Sequence, residues 1–335
     1  MKLLTVTVPC YNSQDYMEKC IDSLLTGGER VEIIIVNDGS RDATGQIADR
    51  YARQYPHIVR VIHQENGGHG EGINQGVAHA TGLYFKVVDS DDCVSGDFPA
   101  FVDILQQCAH ENVDIVLTNY RYVYTDGAAD RTIAYGNVLR PGQVTAWSQT
   151  RKFRLHQLIT LHSGTFRTAL MRAWAQPLPK HISYEDNLMV YQTLPHAKTL
   201  YYADMALYRY SIGREGQSVA REAVKKRYAN QLLVAQRCFT SCELDGVENQ
   251  KLKKYMCHEL FMMFAIGICF ARMNRDDKSD SDIAAMWEAC REFDPKWEKH
   301  FRSRSGLALL CLPGKLGRAV TNGIYGFANR VIRYY

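Results

Sequence analysis

The residues with the clearest capacity for chemistry are three acids that directly follow a run of strand formers. The run Leu83 to Val88 ends in Asp89-Ser90-Asp91-Asp92, which places carboxylates where a buried strand emerges into a loop. Hard cations such as Mg²⁺ and Mn²⁺ prefer oxygen ligands and keep further positions for water and phosphate. Acidic clusters after strands are also common as solvated turns, so the metal prediction depends on the rest of the chain.

Strand and helix patterns alternate ahead of these acids. The strand patterns are Leu3 to Val8, Val31 to Val36 and Val59 to His63, and the helix patterns are Tyr16 to Leu25, a second after Ala43 and a third ending at Ala80. This alternation predicts a mainly parallel α/β sheet flanked by helices.

Ligands of such sheets bind beyond the carboxyl ends of the strands. Those ends carry Pro9-Cys10-Tyr11-Asn12, Asn37-Asp38-Gly39-Ser40, Asn66-Gly67-Gly68-His69 and Asp89-Ser90-Asp91. Together they offer an aromatic plane at Tyr11, an acceptor at Asp38 that can read a base N–H, glycine-rich backbone and a cation site. We therefore expect a pocket for a nucleoside diphosphate with its cation.

Two other ligand loops are disfavoured. A dinucleotide fingerprint starting at Gly68 would need its third glycine at Ile73, and the first strand-to-helix turn contains no glycine. A calcium loop starting at Asp89 would have Cys93 as a ligand and Val94 in place of the required glycine. A net charge of +4 also gives no reason to expect nucleic acid as a partner.

Four motifs resemble the family 2 glycosyltransferases, which have the GT-A fold, and indicate the type that makes bacterial surface polysaccharides. They are Val8 to Asn12, Val36 to Asp42, Asn66 to Gly68 and Asp89 to Asp91. The resemblance implies that Tyr11 stacks on uracil, Asp38 binds the edge of the base, Asp89 binds the ribose and Asp91 binds the metal. It implies further nucleotide-sugar contacts from Pro9, Asn12, Asn66, Gly67, Gly68 and Ser90. The sequence departs from many members at His69 and Glu71, where small residues and an arginine are usual.

A second acidic motif, Ser183 to Leu188, contains Glu185 and Asp186. Ser183 is expected to cap a helix, and neighbouring helical residues point about 100° apart, so both acids cannot serve one proton. Acids in a first helical turn are ordinarily favoured by the helix dipole. The resemblance instead implies that Asp186 is the base that deprotonates the acceptor, with Glu185 as a positioning contact.

The segment Tyr208 to Ser218 resembles the Arg-x-Gly-x-Ser segment of the family, so Arg214 is expected to clamp the diphosphate. Arginine suits this role because its planar guanidinium matches phosphate oxygens. A solvated loop arginine is the alternative.

The composition becomes helical after Ala220, which predicts a glycosyltransferase domain over 1–219 and a helical region over 220–335. In the last segment Leu316, Val320, Ile324, Phe327 and Val331 recur at helical spacing between basic residues. This pattern favours a helix lying on an anionic membrane surface over one docked on the protein. The ten cysteines, with no secretion signal ahead of them, favour a reducing cytosol, so we expect a cytoplasmic protein peripheral to the inner face of the membrane.

We therefore expect an inverting, metal-dependent hexosyltransferase that uses Mn²⁺ or Mg²⁺. Its donor is expected to be a UDP-sugar, and its acceptor a saccharide or a lipid-linked saccharide for the cell surface. Two alternatives stay open: a nucleotidyltransferase acting on sugar phosphates, and a non-catalytic module that binds nucleotide sugars.

Overall fold

The computed structural model describes residues 2–125, 127–174, 176–213, 221–274, 276–312, 314, 317–321 and 323. The chain divides into two compact units. The first comprises Met1–Ile182 and His196–Arg214, and the second comprises Ser183–Pro195 and Glu215–Tyr335. The predicted domain boundary between 219 and 220 stays a prediction.

The described residues of the first unit contain one sheet of ten strands. These are β1 (Leu4–Cys10), β2 (Val31–Asp38), β3 (Val59–Gln64), β4 (Tyr84–Val87), β5 (Cys93–Val94), β6 (Ile115–Tyr124), β7 (Arg131–Ile133), β8 (Val144–Ala146), β9 (Gly164–Arg167) and β10 (Thr199–Ile212). The strand order is β3-β2-β1-β4-β9-β6-β10-β5, while β7 pairs with β6 and β8 with β10. β1 to β4 pair in parallel, as do β6 and β10, whereas β9 joins the two sets antiparallel. The mixed, mainly parallel α/β fold predicted from the sequence is confirmed.

Helices accompany this sheet because its central strands are buried on both faces. Every residue of β1 and β2 is buried, as expected when a parallel sheet is covered on both sides. The helices are α1 (Met17–Leu25), α2 (Thr44–Gln54), α3 (His69–His79), α4 (Phe98–His110) and α5 (Thr168–Met171). α1 shows the principle, since its buried residues Met17, Cys20, Ile21 and Leu24 form one stripe at helical spacing.

Pro9 does not end the first strand, although the strand pattern in the sequence runs only from Leu3 to Val8. β1 continues to Cys10, and Pro9 pairs with Val36 of β2. The pairing of β1 with β4 has ended two residues earlier, at Thr7. Pro9 therefore has a strand partner on one side only, the situation in which a missing N–H is tolerated.

The segment 126–142 is rich in glycine, alanine and aspartate, which predicts a surface loop, and this prediction is wrong in part. β7 lies within it and pairs with β6, and Tyr135, Val138 and Leu139 are buried. Its glycines and aspartates suggested turns, but the three apolar side chains are recruited to the core by contacts that are distant in sequence.

The second unit is built from helices, as predicted for the C-terminal region. They are α6 (Glu185–Thr193), α7 (Arg221–Lys226), α8 (Tyr228–Thr240), α9 (Gln250–Arg272), α10 (Asp277–Phe293) and α11 (Pro295–Lys299). Phe264 of α9 packs against Trp287 of α10 with ring centroids 4.6 Å apart, and Phe239 and Phe301 complete an aromatic core. By length and composition α9 could cross a membrane, but 67% of its most apolar stretch is buried in the fold, as in the core helix of a globular protein.

A buried arginine holds the described part of the C-terminal segment within this unit. Arg272 is 4% exposed and donates to the carbonyl oxygens of Leu310 (2.6 Å) and Leu312 (2.8 Å) and to Thr321 Oγ1 (3.1 Å). Arg318 adds a 3.0 Å ion pair with Asp280. Leu310, Leu312, Arg318 and Thr321 are therefore bound to the helical unit itself.

Glu259 of α9 is a buried acid, and its Oε2 has no hydrogen-bond partner among the described residues. Burial raises the pKa of Glu259 well above its ordinary value. Above about pH 4.3 the unfolded chain is stabilised by ionisation of this acid, whereas the folded chain must keep it protonated. The free energy of unfolding therefore falls as the pH rises. Glu259→Gln removes the ionisable group. We therefore expect its melting temperature to decline less than that of the wild type between pH 5 and pH 8.

The control for this measurement is Glu248→Gln, which changes an exposed acid just before the same helix. Its melting curve is expected to follow the wild type throughout. Identical pH dependence of Glu259→Gln and wild type would mean that Glu259 is not held neutral in the folded state.

Candidate active site

The carboxylate of Asp38 holds the glycine loop that follows β3. Asp38 is 3% exposed at the end of β2. Its Oδ1 accepts from Gln64 Nε2 (2.6 Å) and from the Gly67 N–H (2.7 Å), and its Oδ2 accepts from the Gly68 N–H (2.8 Å). The side chain of Asn66 donates to the carbonyl oxygen of Asp38 at 2.9 Å. The four predicted residues Asp38, Asn66, Gly67 and Gly68 thus lie together, with most of the acceptor capacity of Asp38 used inside the loop.

Gly68 is required by the conformation of this loop. Its φ of 86° lies in the left-handed region, and a Cβ would come within 2.8 Å of the backbone nitrogen of His181. That nitrogen donates to the carbonyl oxygen of Gly67 at 2.9 Å. Any side chain at this position would therefore be strained and would also separate the two segments.

Tyr11 is presented at the end of β1 with 51% of its surface exposed, after a strand whose residues are all buried. Asn12, with φ 50°, joins this turn to the turn after β2. Its N–H donates to Ser40 Oγ (3.0 Å), and its Oδ1 accepts from the N–H of Arg41 (2.9 Å). An exposed aromatic ring on a fixed turn is suited to stacking on a planar base.

Two predicted contacts, Ser90 and Pro9, are more buried than Tyr11. Ser90 is 8% exposed and shares a 2.9 Å hydrogen bond with Ser13, so it ties the β4 loop to the β1 loop. Pro9 is buried, and a Cβ on Gly72 of α3 would lie 2.9 Å from it. Both residues contribute packing that supports the edge of the sheet.

Among the described residues, Asp89, Asp92 and His162 form a cluster that could hold a cation. Each offers one ligand atom, and the three atoms lie within 4.8 Å of one another. The predicted metal ligand Asp91 is not one of these three, although it lies in the turn between the two other acids. Carboxylate oxygens suit Mg²⁺ and Mn²⁺, and a neutral imidazole is a common additional ligand.

Neighbouring groups orient both carboxylates. Asp89 Oδ1 accepts from His69 Nε2 at 2.9 Å. Asp92 is 2% exposed, and its two oxygens accept from Tyr208 Oη (2.7 Å) and from the Ser211 N–H (2.8 Å). The hydroxyl of Tyr208 also accepts from the N–H of Asp89 at 3.1 Å. Residues of β10 therefore fix the acidic turn.

The electrostatics of the cluster fit a bound cation. Burial raises the pKa of Asp92 well above its ordinary value, and the charges of Asp89 and Asp91 raise it further. Burial acts to raise the pKa of Asp89, but the hydrogen bonds from His69 and Tyr208 and the charges of His69 and His162 together outweigh it, and the pKa is lowered. Burial lowers the pKa of His162 to about 4 against the opposing charge of Asp89, so its imidazole is neutral. A divalent cation would compensate this crowding of negative charge.

Lys86 positions the loop that carries His162. It is fully buried in β4, and its Nζ donates to the carbonyl oxygens of Leu161 (3.2 Å), His162 (3.0 Å) and Gly164 (3.1 Å). These bonds use all three donors of the ammonium group. Burial lowers the pKa of Lys86 to about 7. A lysine three residues before Asp89 therefore connects the acidic turn to a histidine more than 70 residues away.

The predicted base motif lies in the other unit. Glu185 and Asp186 form the first turn of α6, where Glu185 is 2% exposed and Asp186 Oδ1 accepts from Asn187 Nδ2 at 3.3 Å. The expectation that Ser183 caps this helix is wrong, because the residue at the cap is Tyr184, in a left-handed conformation with φ 72°. Arg214, the predicted diphosphate clamp, lies outside the described residues.

Comparison with known families decides what kind of protein carries this site. The family described as Glycosyl transferase family 2 matches residues 5–175, about half of the chain. This range contains Tyr11, the glycine loop held by Asp38 and the Asp89–Asp92–His162 cluster. The chain belongs to glycosyltransferase family 2.

Relatives and solved structures agree with this membership. EpsH of Bacillus subtilis is 28% identical over 79% of this chain and 76% of its own length. The glycosyltransferase GlyG of Streptococcus pneumoniae is 39% identical over 38% of this chain, but the match covers only 42% of GlyG. Residues 1–349 of TarS from S. aureus, solved in complex with UDP-GlcNAc, have a TM-score of 0.65 at 20% identity, with 99% of this chain and 92% of that one covered. The mannosyltransferase PcManGT of Pyrobaculum calidifontis, solved with GDP-Man and Mn²⁺, has a TM-score of 0.57 at 14% identity, covering 99% and 88%. The two structures support a shared fold.

The motifs of the family did not identify His162 or Lys86, and the segment that begins at Tyr208 indicated a role for Arg214 and none for the tyrosine. His162 is a single histidine in an irregular segment, and Tyr208 reads as one of many strand tyrosines. Lys86 did carry a signal, because a lysine inside an otherwise apolar strand needs a partner. Its partners are backbone carbonyls, which no sequence pattern marks.

We expect Lys86→Met to weaken Mn²⁺ binding, since it keeps the apolar stem but leaves three buried carbonyl oxygens without their donor. Loss of a group that orients a ligand typically weakens metal affinity about 10–100-fold. Titration of Mn²⁺ followed by electron paramagnetic resonance measures the affinity directly, and the melting temperature should fall at the same time.

Lys152→Met, which changes an exposed lysine in the preceding segment, is the matched control and should bind Mn²⁺ as the wild type does. Unchanged affinity in Lys86→Met would show that the loop does not contribute to the site. The same titration on Asp91→Asn tests the ligand that the sequence predicts but the cluster does not contain.

Proposed function

We propose that this family 2 glycosyltransferase transfers a hexose from a UDP-sugar, with inversion, to a saccharide or lipid-linked acceptor for the cell surface. The observation that carries the proposal is the convergence of Tyr11, the Asp38-bound glycine loop and the Asp89–Asp92–His162 cluster at one edge of the sheet. TarS was solved with UDP-GlcNAc and PcManGT with GDP-Man and Mn²⁺, and both share this fold. Those complexes support a nucleotide sugar as the donor class.

In this proposal each part of the edge has one task. Tyr11 stacks on the base, while Asn12, Asn66 and the backbone of Gly67 and Gly68 line the nucleotide. Asp38 holds this loop and keeps little acceptor capacity to read the base edge. The ribose contact assigned to Asp89, the diphosphate contact of Arg214 and the nearby roles of Pro9 and Ser90 follow the family resemblance.

The cation is proposed to be Mn²⁺ or Mg²⁺. Asp89, Asp92 and His162 would hold it, with Asp91 beside them. When bound, it would neutralise charge on the departing diphosphate. The chain itself contributes orientation: His69 and Tyr208 fix the carboxylates, and Lys86 fixes the histidine. Fixed dipoles and ligands need no rearrangement as charge develops on the leaving group.

Inverting transfer needs one base on the acceptor hydroxyl, and we propose Asp186 for that role with Glu185 as a positioning contact. The assignment depends on the family motif, since an acid in a first helical turn has an ordinary structural explanation as well. We expect Asp186→Asn to keep UDP-sugar binding and to lose transfer by at least about 100-fold, because it removes general-base catalysis.

Binding of the UDP-sugar is measured by calorimetry, and turnover by the release of UDP. Asp245→Asn is the control, because Asp245 is an exposed acid of the same unit in a surface pair with Lys296. Transfer at the wild-type rate in Asp186→Asn would remove Asp186 as the base. Release of pyrophosphate by the wild type would indicate a nucleotidyltransferase, and binding without any turnover would indicate a non-catalytic module.

We also propose that the chain is cytoplasmic and associates with the inner face of the membrane. Leu310, Leu312 and Thr321 are held by Arg272 in the helical unit, and Arg318 pairs with Asp280 there, whereas Leu316 lies outside the described residues. Ile324, Phe327 and Val331, which lie outside the described residues, carry the proposal with Arg330 and Arg333. Residues 324–335 contain no acid, which favours an anionic lipid surface.

We expect the full chain to float with vesicles that contain an anionic phospholipid and to stay in solution with neutral vesicles. Arg330→Glu combined with Arg333→Glu should abolish flotation, because each basic residue near such a surface contributes about 1 kcal/mol. Lys251→Glu combined with Lys254→Glu, which alters the charge equally at α9, is the control. If the wild type does not float with anionic vesicles, the membrane proposal is wrong.

A further inference from the structure

A row of tyrosines leads away from the cation cluster along β6 and β10. Strand pairing places Tyr120 beside Tyr208 and Tyr122 beside Tyr210. Tyr124 continues the same face, since alternate residues of a strand share a face and stand about 6.6 Å apart. We call the set of Tyr122, Tyr124 and Tyr210 the tyrosine track.

The track is in direct contact with the cluster. The imidazole of His162 stacks on Tyr210 with ring centroids 4.5 Å apart and an angle of 21° between the planes. Tyr210 lies 5.6 Å from Tyr122, and Tyr122 lies 6.5 Å from Tyr124, again between ring centroids. A molecule lying on the track would therefore end beside the cation cluster.

The burial of these rings changes along the strands. Tyr208 is 0% exposed and Tyr120 6% exposed, so the inner pair belongs to the core. Tyr122, Tyr124 and Tyr210 are partly exposed. Packing of the core does not require three adjacent tyrosines at the point where the strands leave it. A surface that binds an amphipathic ring of a ligand does.

A basic cleft adjoins the track. Arg131 of β7 is paired with Tyr122 across the strands and therefore lies on the same face. It also lines a cleft of about 210 Å³ together with Arg154 and His156, and the residues that line this cleft include no acid. Burial lowers the pKa of His156, and the charges of Arg131 and Arg154 lower it further, so the two guanidinium groups lie close to the ring.

We propose that the tyrosine track and this cleft form the acceptor subsite, and that the acceptor is a saccharide carrying a carboxylate or phosphate group. The inference builds on the proposed function, because it names the acceptor class of that reaction. Sugar rings are apolar on their C–H faces and polar at their edges, and tyrosines match both with a ring face and a hydroxyl. Arginine forks bind carboxylate and phosphate through paired hydrogen bonds.

The size of the cleft limits what enters it. Pockets that enclose a whole small molecule are usually about 300–1,000 Å³, so this one takes a single charged group while the rest of the saccharide lies on the tyrosines. The acidic group would then sit on the side of the track formed by β7, and the sugar above Tyr210 would be nearest to the reacting centre. This sets both the direction of the chain and the position of its charge.

The test is binding to an array that carries uronate-containing, phosphate-containing and neutral bacterial glycans, with Tyr124→Ala and Arg154→Ala as variants. We expect the wild type to prefer acidic glycans. Tyr124→Ala should weaken all binding about 3–10-fold, as expected for one aromatic contact. Arg154→Ala should weaken binding of acidic glycans alone. Comparison of the uronate-containing with the phosphate-containing glycans shows which acidic group the subsite prefers.

Tyr55→Ala and Arg53→Ala are the matched controls, since both residues lie at the end of α2, beside β3 at the opposite edge of the sheet. Hydrolysis of the UDP-sugar by the wild type without acceptor tests the proposed function by itself, so failure of the subsite is distinguishable from failure of the proposed function. The proposal would be overturned if the wild type bound no acidic glycan or preferred neutral glycans. Variants that bind as the wild type does would overturn it as well.

Discussion

Parallel pairing of β1, β2, β3 and β4 is the constraint on which the candidate site depends. Strands that pair in parallel end at the same edge, so the turns after Cys10, Asp38, Gln64 and Val87 must meet there. Burial of every residue of β1 and β2 fixes the register of the sheet. Polar residues that are up to 80 positions apart in sequence are thereby brought to one surface without a loop having to reach across the protein.

The turns are then locked together by polar groups that the fold has removed from water. A buried carboxylate or ammonium group is tolerated only when hydrogen bonds satisfy it. Asp38 is satisfied by the glycine loop, Asp92 by Tyr208 and Ser211, and Lys86 by three carbonyl oxygens. Each of these groups therefore ties two segments in a fixed geometry. The same bonds that make burial possible also organise the ligands, so stability and the geometry of the site have a common origin.

The first unit combines this rigid edge with an aromatic surface of graded burial. β6 and β10 run through the core and continue beyond it, so one row of tyrosines is core at Tyr208 and Tyr120 and surface at Tyr122 and Tyr124. His162 lies between the two environments, against Tyr208 and Tyr210. The candidate cation site and the proposed acceptor surface are thus supported by the same pair of strands. The helical unit is built differently, on aromatic packing around Phe264 and on Arg272 as a buried anchor.

The sequence by itself determined the fold class, the family and the parallel strand ends that carry Tyr11, Asp38, the glycine loop and the acidic turn. These are local signals, because strand periodicity, turn residues and motif spacing are all properties of neighbouring positions. It could not determine that His162, Lys86 and Tyr208 belong to the candidate site, or that Asp38 is used inside its own loop. Nor could it anticipate that the segment after Asp126 contributes β7, or that Tyr184 rather than Ser183 stands at the start of α6. Only the tertiary structure decided these points, because each depends on which distant backbone or side-chain group satisfies a buried charge or covers an apolar ring.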